Sequence, residues 1–437
     1  MEQEKWNYKT VLEYLEDAGK YGIVPGLDSI RALCAELDNP QDALQFVHIA
    51  GTNGKGSVLA YVSTILKAAG YKVGRYISPT IFEYRERIQV NGRMISQKDF
   101  TELSGQVKEA VDRMVERGLP HPTPFELDTA MAFLYFQKKE CDVVVLETGM
   151  GGKMDATNLI KNTLVAVLTS ISMDHMKFLG KTLTEIAEQK AGIIKRGCQV
   201  VSMKQASEAE AVIRRVAKSM DCEISIADPE TAKKIKYGLE KQRFDYDSLK
   251  AITITLAGHY QITNAVLAYE VIRVLNKKGF SITEKALRKG FLETSWPGRF
   301  QVLSKKPYFI VDGAHNEDAA GKLAETIRFY FTNKKIIYIM GILRDKEYEK
   351  IIQETVPLSS AVITVKTPDN PRAMDAYELA KEVRAYQPNV TAVDSLEEAV
   401  EMSYLMADPD SVILAFGSLS YLGQMITLVE KHSKRNK

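Results

Sequence analysis

Cysteine is scarce in this chain. Four thiols at positions 34, 141, 198 and 222 of 437 residues form no CxxC pair, so they read as free thiols in a reducing compartment rather than as a disulfide framework. Long apolar runs are lacking too, and none could span a bilayer. The opening Met-Glu-Gln-Glu-Lys lacks the basic-then-apolar order of a signal peptide, so the cytoplasm is the expected compartment. Neither sign of charge dominates. Fifty-eight Lys and Arg against 56 Asp and Glu leave +2, which offers no general field for nucleic acid or a membrane. There is no low-complexity segment and no short-period repeat. What is there is globular in composition, 45% hydrophobic and 26% charged, and too long for one ordinary core, so two or three domains are expected.

The chain is organised around Phe46-Val-His-Ile-Ala-Gly-Thr-Asn-Gly-Lys-Gly-Ser57. A short apolar strand runs into a glycine-rich turn, then a helix that stops at Gly70. Gly51, Gly54 and Gly56 let successive N–H groups turn toward an anion, Lys55 adds a point charge, and Ser57 offers a hydroxyl to a Mg²⁺ on the phosphates. The match to a strict P-loop is imperfect: Gly56 stands where a hydroxyl residue normally follows the lysine, and Ile49 occupies the first glycine position. A plain strand-to-helix turn is the competing reading.

Upstream, residues 7–37 read as two helices joined by a Gly-rich connection at 21–26. Downstream, strands are expected at 71–77, 141–147, 163–169 and 199–202, and helices at 97–118, 125–139, 183–194 and 208–219. The stretch 78–88 reads as a charged loop and 222–256 as a small antiparallel appendage. Two helices, 260–278 and 283–293, precede Trp296-Pro-Gly-Arg299, where Pro and Gly mark a break. We place the boundary there: an ATP-binding domain over 1–296 and a smaller α/β domain over 297–437, in which the pattern restarts with a strand at 308–312, a helix at 318–331 and a strand at 335–340. The fold class is α/β, with a parallel sheet whose ligands lie beyond the carboxyl ends of its strands.

Lys55, Glu147 and His175 all fall just past such ends. A carboxylate there, opposite a P-loop, suits Mg²⁺; the alternative for Glu147 is a loop cap, and for His175 a structural role. Asp312-Gly-Ala-His-Asn316 ends the first strand of the second domain and Arg299 lies at the break, which suggests a ligand between the domains; a turn with incidental polar residues is the alternative.

The series Gly51–Ser57, Glu86-Arg-Ile88, Glu147-Thr-Gly-Met-Gly-Gly-Lys-Met-Asp-Ala-Thr-Asn158, Asp174-His175, the run 179–192, Pro297-Gly-Arg299 and Asp312–Asn316 resembles the motifs of the folylpolyglutamate synthases and bifunctional dihydrofolate synthases, relatives of the cell-wall Mur ligases. The resemblance runs in order across nearly the whole chain. It implies a Mur ligase-like fold and an ATP-dependent amide ligase that adds L-glutamate to the carboxylate of a folate, or of dihydropteroate, through an acyl phosphate. Carried over, Asn53, Gly54, Lys55, Gly56 and Ser57 would hold the ATP phosphates. Ser57, Ser78, Glu147 and His175 would serve two Mg²⁺ sites. Asn264, Arg299 and Asp312 would contact the nucleotide, and Arg87, His315 and Ser418 the glutamate or folate tail. The chain departs from the family in Gln189-Lys-Ala-Gly192, Gly258-His-Tyr-Gln261 and Gly417-Ser-Leu-Ser420, where the family writes Glu-Lys-Ala-Gly, Gly-x-His-Gln and Gly-Ser-Leu-Tyr.

Lys190 stands apart. Its helical neighbours Ile186, Ala187, Ile193 and Ile194 are apolar, so it projects from a face that should be buried. Snorkelling to solvent or reaching a distant acid is one reading. Otherwise desolvation lowers its pKa and leaves a neutral amine that reacts with CO₂; the resemblance points the same way, implying a carbamylated lysine and a catalytic role beside Lys55 and His175. A small-molecule enzyme, monomeric, with no nucleic-acid or membrane partner is expected. A Mur ligase for a nucleotide sugar would carry a separate domain ahead of the P-loop, and a non-catalytic nucleotide-binding module need not keep Lys55, Glu147, His175 and Lys190.

Overall fold

Two parallel sheets dominate a computed structural model that describes residues 6–22 and 24–435. The opening residues read above for compartment, and Ile23 in the Gly-rich connection, lie outside the described residues.

The first sheet has eight strands: β1 (Phe46–Ala50), β2 (Val73–Tyr76), β3 (Ile88–Val90), β4 (Arg93–Met94), β5 (Val143–Glu147), β6 (Thr163–Leu168), β7 (Gln199–Met203) and β8 (Ile224–Ala227). Their order is β4-β3-β2-β5-β1-β6-β7-β8. β1 pairs in parallel with β5 on one side and β6 on the other. All five β1 residues and all five β5 residues are buried, because helices cover both faces; such strands read as continuous apolar runs. The strand order reverses beside β1, and that switch point opens the crevice in which open α/β sheets bind ligands.

One face is covered by the P-loop helix (Lys55–Ala68), which packs against Tyr260–Lys277 and Glu284–Glu293. The other carries Gln97–Glu116 and Pro124–Lys138. The P-loop helix is buried on nearly every side, from Gly56 through Ser63 and at Ile65 and Leu66. Each fully buried Ile, Leu or Val contributes roughly 1.5–3 kcal/mol, so tertiary packing holds this helix and the loop at its start.

The second sheet comprises β12 (Gln301–Lys305), β13 (Tyr308–Val311), β14 (Ile336–Met340), β15 (Ala361–Thr364), β16 (Val390–Ala392) and β17 (Val412–Phe416), in the order β12-β13-β17-β14-β15-β16. It is parallel except for the edge strand β12, antiparallel to β13. Between the sheets in sequence lies an antiparallel unit of β9 (Lys233–Lys236), β10 (Gln242–Tyr246) and β11 (Leu249–Ile254).

Three expectations need correction. Residues 224–227 are not part of the antiparallel appendage: β8 pairs in parallel with β7 and extends the main sheet. The end of the charged loop at 78–88 is a strand start, since β3 folds back antiparallel on β2 and β4 antiparallel on β3. The second sheet also begins one strand earlier than residue 308, with β12.

Candidate active site

At the carboxyl end of β1 the chain turns through Gly51–Gly54 into the P-loop helix. Gly54 has φ +88°, and a Cβ there would lie 2.6 Å from Asn264 Oδ1, so the turn requires glycine. Lys55 opens the helix and curls back: its Nζ donates to Gly51 O at 3.1 Å and to Thr52 O at 3.2 Å. Lys190 Nζ donates to the same Gly51 oxygen at 2.8 Å. Two lysine amino groups therefore crowd one carbonyl.

Lys190 is buried, on the helix Leu183–Ala191, which is capped by Thr182 through a reciprocal bond with Glu185. Burial, with Lys55 adding to it, pulls Lys190 down to about 7. The amine neither snorkels to solvent nor forms an ion pair among the described residues.

Glu147 closes β5 against the same cavity. It is buried without an ion pair among the described residues, and burial pushes its carboxyl up to about 7 although Lys55 and Arg299 oppose the shift. Ser57 is also buried, and its Oγ accepts from Gln261 Nε2 at 3.2 Å. Ser78, just past β2, and His175, just past β6, line this cavity as well. His175 has φ +50° and a side chain 40% exposed, so its ring is open to a ligand. Burial lowers its pKa; Asp174 opposes the shift, and Lys346, Lys55 and Lys190 reinforce it.

The second domain completes the cavity, of about 230 Å³, with Arg299, Asp312 and His315. Asp312 lines it but is already engaged: its carboxylate accepts from Tyr260 OH at 2.9 Å and from the N–H groups of Phe300 and Ala314, both at 2.8 Å. Asn53 likewise reaches across, donating to Asn316 Oδ1 at 3.2 Å and Asp318 Oδ2 at 2.7 Å. Asn264 donates to Gln261 Oε1 at 3.1 Å, and with Gly54 and Gly56 it borders the same space.

A wider cavity of about 610 Å³ adjoins the first and shares Ser78, His175 and His315 with it. Arg87, Phe125, Asp155, Lys346, Arg372 and Ser418 line it. Arg87 lies 3.5 Å from the buried Asp128, whose carboxyl burial raises to about 6 against the pull of Arg87. Ser418 caps the turn that follows it and shares a 2.9 Å contact with Ser420 Oγ. Burial, with Lys346 adding to it, pulls His315 down to about 4, so its ring is neutral near pH 7.

Several contributors escaped the sequence reading. Lys346 Nζ lies 3.2 Å from Asp174 Oδ1, both side chains being 11% exposed, and Asn316 Nδ2 donates to Asp174 Oδ2 at 2.9 Å. Although burial raises it, Lys346 and the neighbouring histidines hold the Asp174 carboxyl well below the usual range. This cluster ties the turn before His175 to the second domain. Lys346 could have been found by the rule that found the others, since it follows β14 as Lys55 follows β1. Tyr260 and Gln261 entered the sequence reading only as part of the run Gly258–Gln261, without a role, and Arg372 carried no local signal.

Comparison with known proteins agrees with this geometry. Residues 49–272 match the Mur ligase middle domain, and residues 298–419 match the Mur ligase glutamate ligase domain. The dihydrofolate synthase/folylpolyglutamate synthase of Bacillus subtilis is 34% identical over 430 residues, covering 96% of this chain and 98% of that protein. The folylpolyglutamate synthase of Lacticaseibacillus casei is 33% identical over 429 residues, with coverage of 96% and 98%. Among solved structures, Mycobacterium tuberculosis folylpolyglutamate synthase complexed with ADP and AMPPCP superposes with a TM-score of 0.88 at 30% identity, over 97% of this chain and 99% of that one. With a P-loop sheet, a second α/β domain closing over it and full-length likeness to these proteins, the chain belongs to the Mur ligase family, in the group of the folylpolyglutamate and dihydrofolate synthases.

Proposed function

We propose that this protein is an ATP-dependent ligase that adds L-glutamate to the carboxylate of a folate, and of dihydropteroate as well. One observation carries the proposal: Lys55, Ser57, Glu147 and Lys190 from the first domain share one cavity with Arg299 and His315 from the second.

In this reading a carboxylate oxygen of the acceptor attacks the γ-phosphorus of ATP, and the bond to the ADP oxygen breaks. The glutamate amine then attacks the acyl carbon of the resulting acyl phosphate and loses a proton as inorganic phosphate leaves, which gives the amide. Lys55 and the N–H groups at the start of the P-loop helix neutralise charge on the transferring phosphoryl group. Asn53, Asn264 and Arg299 position the nucleotide. Arg87, His315, Lys346 and Ser418 line the wider cavity offered to acceptor and glutamate, where two or more cations suit substrates that carry several carboxylates. Closure through Asp174, Lys346 and Asn316 keeps water from the acyl phosphate.

The residues present fit Mg²⁺. Glu147 is a buried carboxylate with no ion pair among the described residues, beside the hydroxyls of Ser57 and Ser78 and the open ring of His175, and Mg²⁺ on phosphates needs only one or two protein oxygens. When bound at two such sites it would neutralise the β- and γ-phosphate oxygens. Lys190 fits carbamylation: its amine is buried, has a lowered pKa, and is pressed against a second cation at Gly51 O. A carbamate in its place would turn that repulsion into attraction. In this reading the protein is a monomer acting on small molecules in the cytoplasm, without nucleic acid; its near-neutral charge supports the last point, and among the described residues no helix is long and apolar enough to cross a membrane.

The test is release of phosphate from ATP with glutamate and either tetrahydrofolate or dihydropteroate. Acceptor-dependent release is expected. No release with either acceptor would refute the ligase reading and favour a binding module.

A further inference from the structure

On the far side of the Ser78-Pro79 turn lies a third cavity, of about 230 Å³, that shares Gly56, Ser78, Glu147 and Arg299 with the nucleotide cavity. Its inner wall is Arg75 on β2. The guanidinium donates to Ser63 Oγ at 2.6 and 3.0 Å and to Gln89 Oε1 at 3.4 Å, and reaches Thr64 Oγ1 at 3.5 Å. It also sits 5.8 Å from the centroid of the Trp296 ring. All of these partners are neutral, and among the described residues no ion pair reaches Arg75. Burial pulls it down to about 10.

Two carboxylates do line the cavity. Glu86 is occupied, its oxygens accepting from the N–H groups of Ile81 at 2.8 Å, Phe82 at 3.0 Å and Glu83 at 3.3 Å. Glu147 faces the P-loop cations. The mouth is flanked by Phe82 and Met94, 51% and 38% exposed. A sequestered cation without a counter-charge costs free energy that an incoming anion recovers, and a guanidinium fork matches a carboxylate in two-point geometry.

We propose that this cavity is a subsite for the glutamyl tail of the acceptor, in which Arg75 binds a tail carboxylate that is not the reacting one. The inference rests on the ligase reading, because the tail enters only if a folate is the acceptor. The cavity borders the phosphate pocket across their shared residues Gly56, Ser78, Glu147 and Arg299, which would let one end of a tail lie at the nucleotide while another carboxylate meets Arg75. Dihydropteroate has no carboxylate left once its single one is at the phosphate, so Arg75 would favour acceptors that already carry glutamate.

Arg75→Met and Arg75→Lys are compared with the parent protein after thermal melts confirm folding. In Arg75→Met the KM for tetrahydrofolate diglutamate should rise about tenfold or more. The KM for ATP should stay put, and Arg75→Lys should be intermediate. A binding readout needs no turnover: the chain has two tryptophans, so in a Trp6→Phe background Trp296 reports alone. γ-Glutamylglutamate should change its emission saturably, and Arg75→Met should abolish the change. An unchanged folate KM in folded Arg75→Met, or a parent protein silent to the dipeptide, overturns the subsite. A dipeptide response in a protein that glutamylates no folate would overturn the ligase reading and leave the carboxylate site standing.

Discussion

Replacing Lys190 with methionine should make the protein more stable at neutral pH and below while destroying its activity. A fall in pKa from 10.5 to about 7 corresponds to roughly 5 kcal/mol of preference for the neutral amine, at about 1.4 kcal/mol per unit. Methionine has nearly the same length and no charge to desolvate. Against this, the bond from Lys190 Nζ to Gly51 O at 2.8 Å is lost, at about 1.5–3 kcal/mol for a charged donor. The balance is a gain of about 2 kcal/mol for Lys190→Met at pH 6 in CO₂-free buffer. Its size and its sign both depend on pH: at about 1.4 kcal/mol per unit above pH 7, a lead of about 2 kcal/mol is used up at about pH 8.5 and the parent is the more stable beyond it. Between pH 7 and 10.5 the unfolded lysine holds more proton than the folded one, so parent stability rises with pH in that window and the gap to the variant closes. Urea unfolding at pH 6, 8 and 9.5 measures this directly. Bicarbonate should stabilise the parent and leave the variant unmoved if the amine takes up CO₂. Equal stability of the two proteins at pH 6, with parallel pH slopes, would refute the claim that burial burdens this lysine.

Lys55→Ala should lower ligation by at least about a thousandfold and leave the melting temperature almost unchanged, since among the described residues Lys55 donates to just two loop carbonyls; phosphate release and calorimetry check the pair of outcomes. Glu147→Gln should raise the Mg²⁺ concentration for half-maximal turnover about tenfold or more, seen in a metal titration at saturating ATP; an unshifted titration would remove Glu147 from the metal site. Lys346→Met should loosen closure by removing one side of the largely buried pair with Asp174. Small-angle scattering should then show a larger radius for the variant than for the parent with ATP and folate present, and equal radii would count against closure through Asp174, Lys346 and Asn316.

Much of the first domain was legible because its signals are local. Phe46–Ser57 states its strand, turn and helix within a dozen residues, and Glu147 and His175 follow apolar runs that can only be buried strands. Lys190 was legible from the apolar residues around it, Ile186 and Ala187 on its helix and Ile193 and Ile194 just past the helix end. The rest depended on partners distant in sequence. Ile224–Ala227 is too short to reveal whether it joins β7 or the appendage, and only parallel pairing decides it. Asp312 looked like a ligand contact, yet Tyr260 and two backbone amides, brought in by the fold, already use its oxygens. Arg75 reads as an ordinary strand residue until Ser63, Gln89 and Trp296 surround it with neutral groups.

The engagement of Asp312 has a mechanical consequence. Tyr260 begins the helix that carries Gln261, bonded to Ser57, and Asn264, pressed against Gly54. Asp312 grips that tyrosine from the second domain and grips Phe300, next to the break, from within it. A swing of the second domain therefore pulls on the end of a rigid rod whose next turn touches the P-loop. The angle between the domains and the shape of the nucleotide pocket are one variable rather than two. By reciprocity, whatever factor ATP in this pocket applies to the affinity for a ligand held between the domains, that ligand applies to the affinity for ATP.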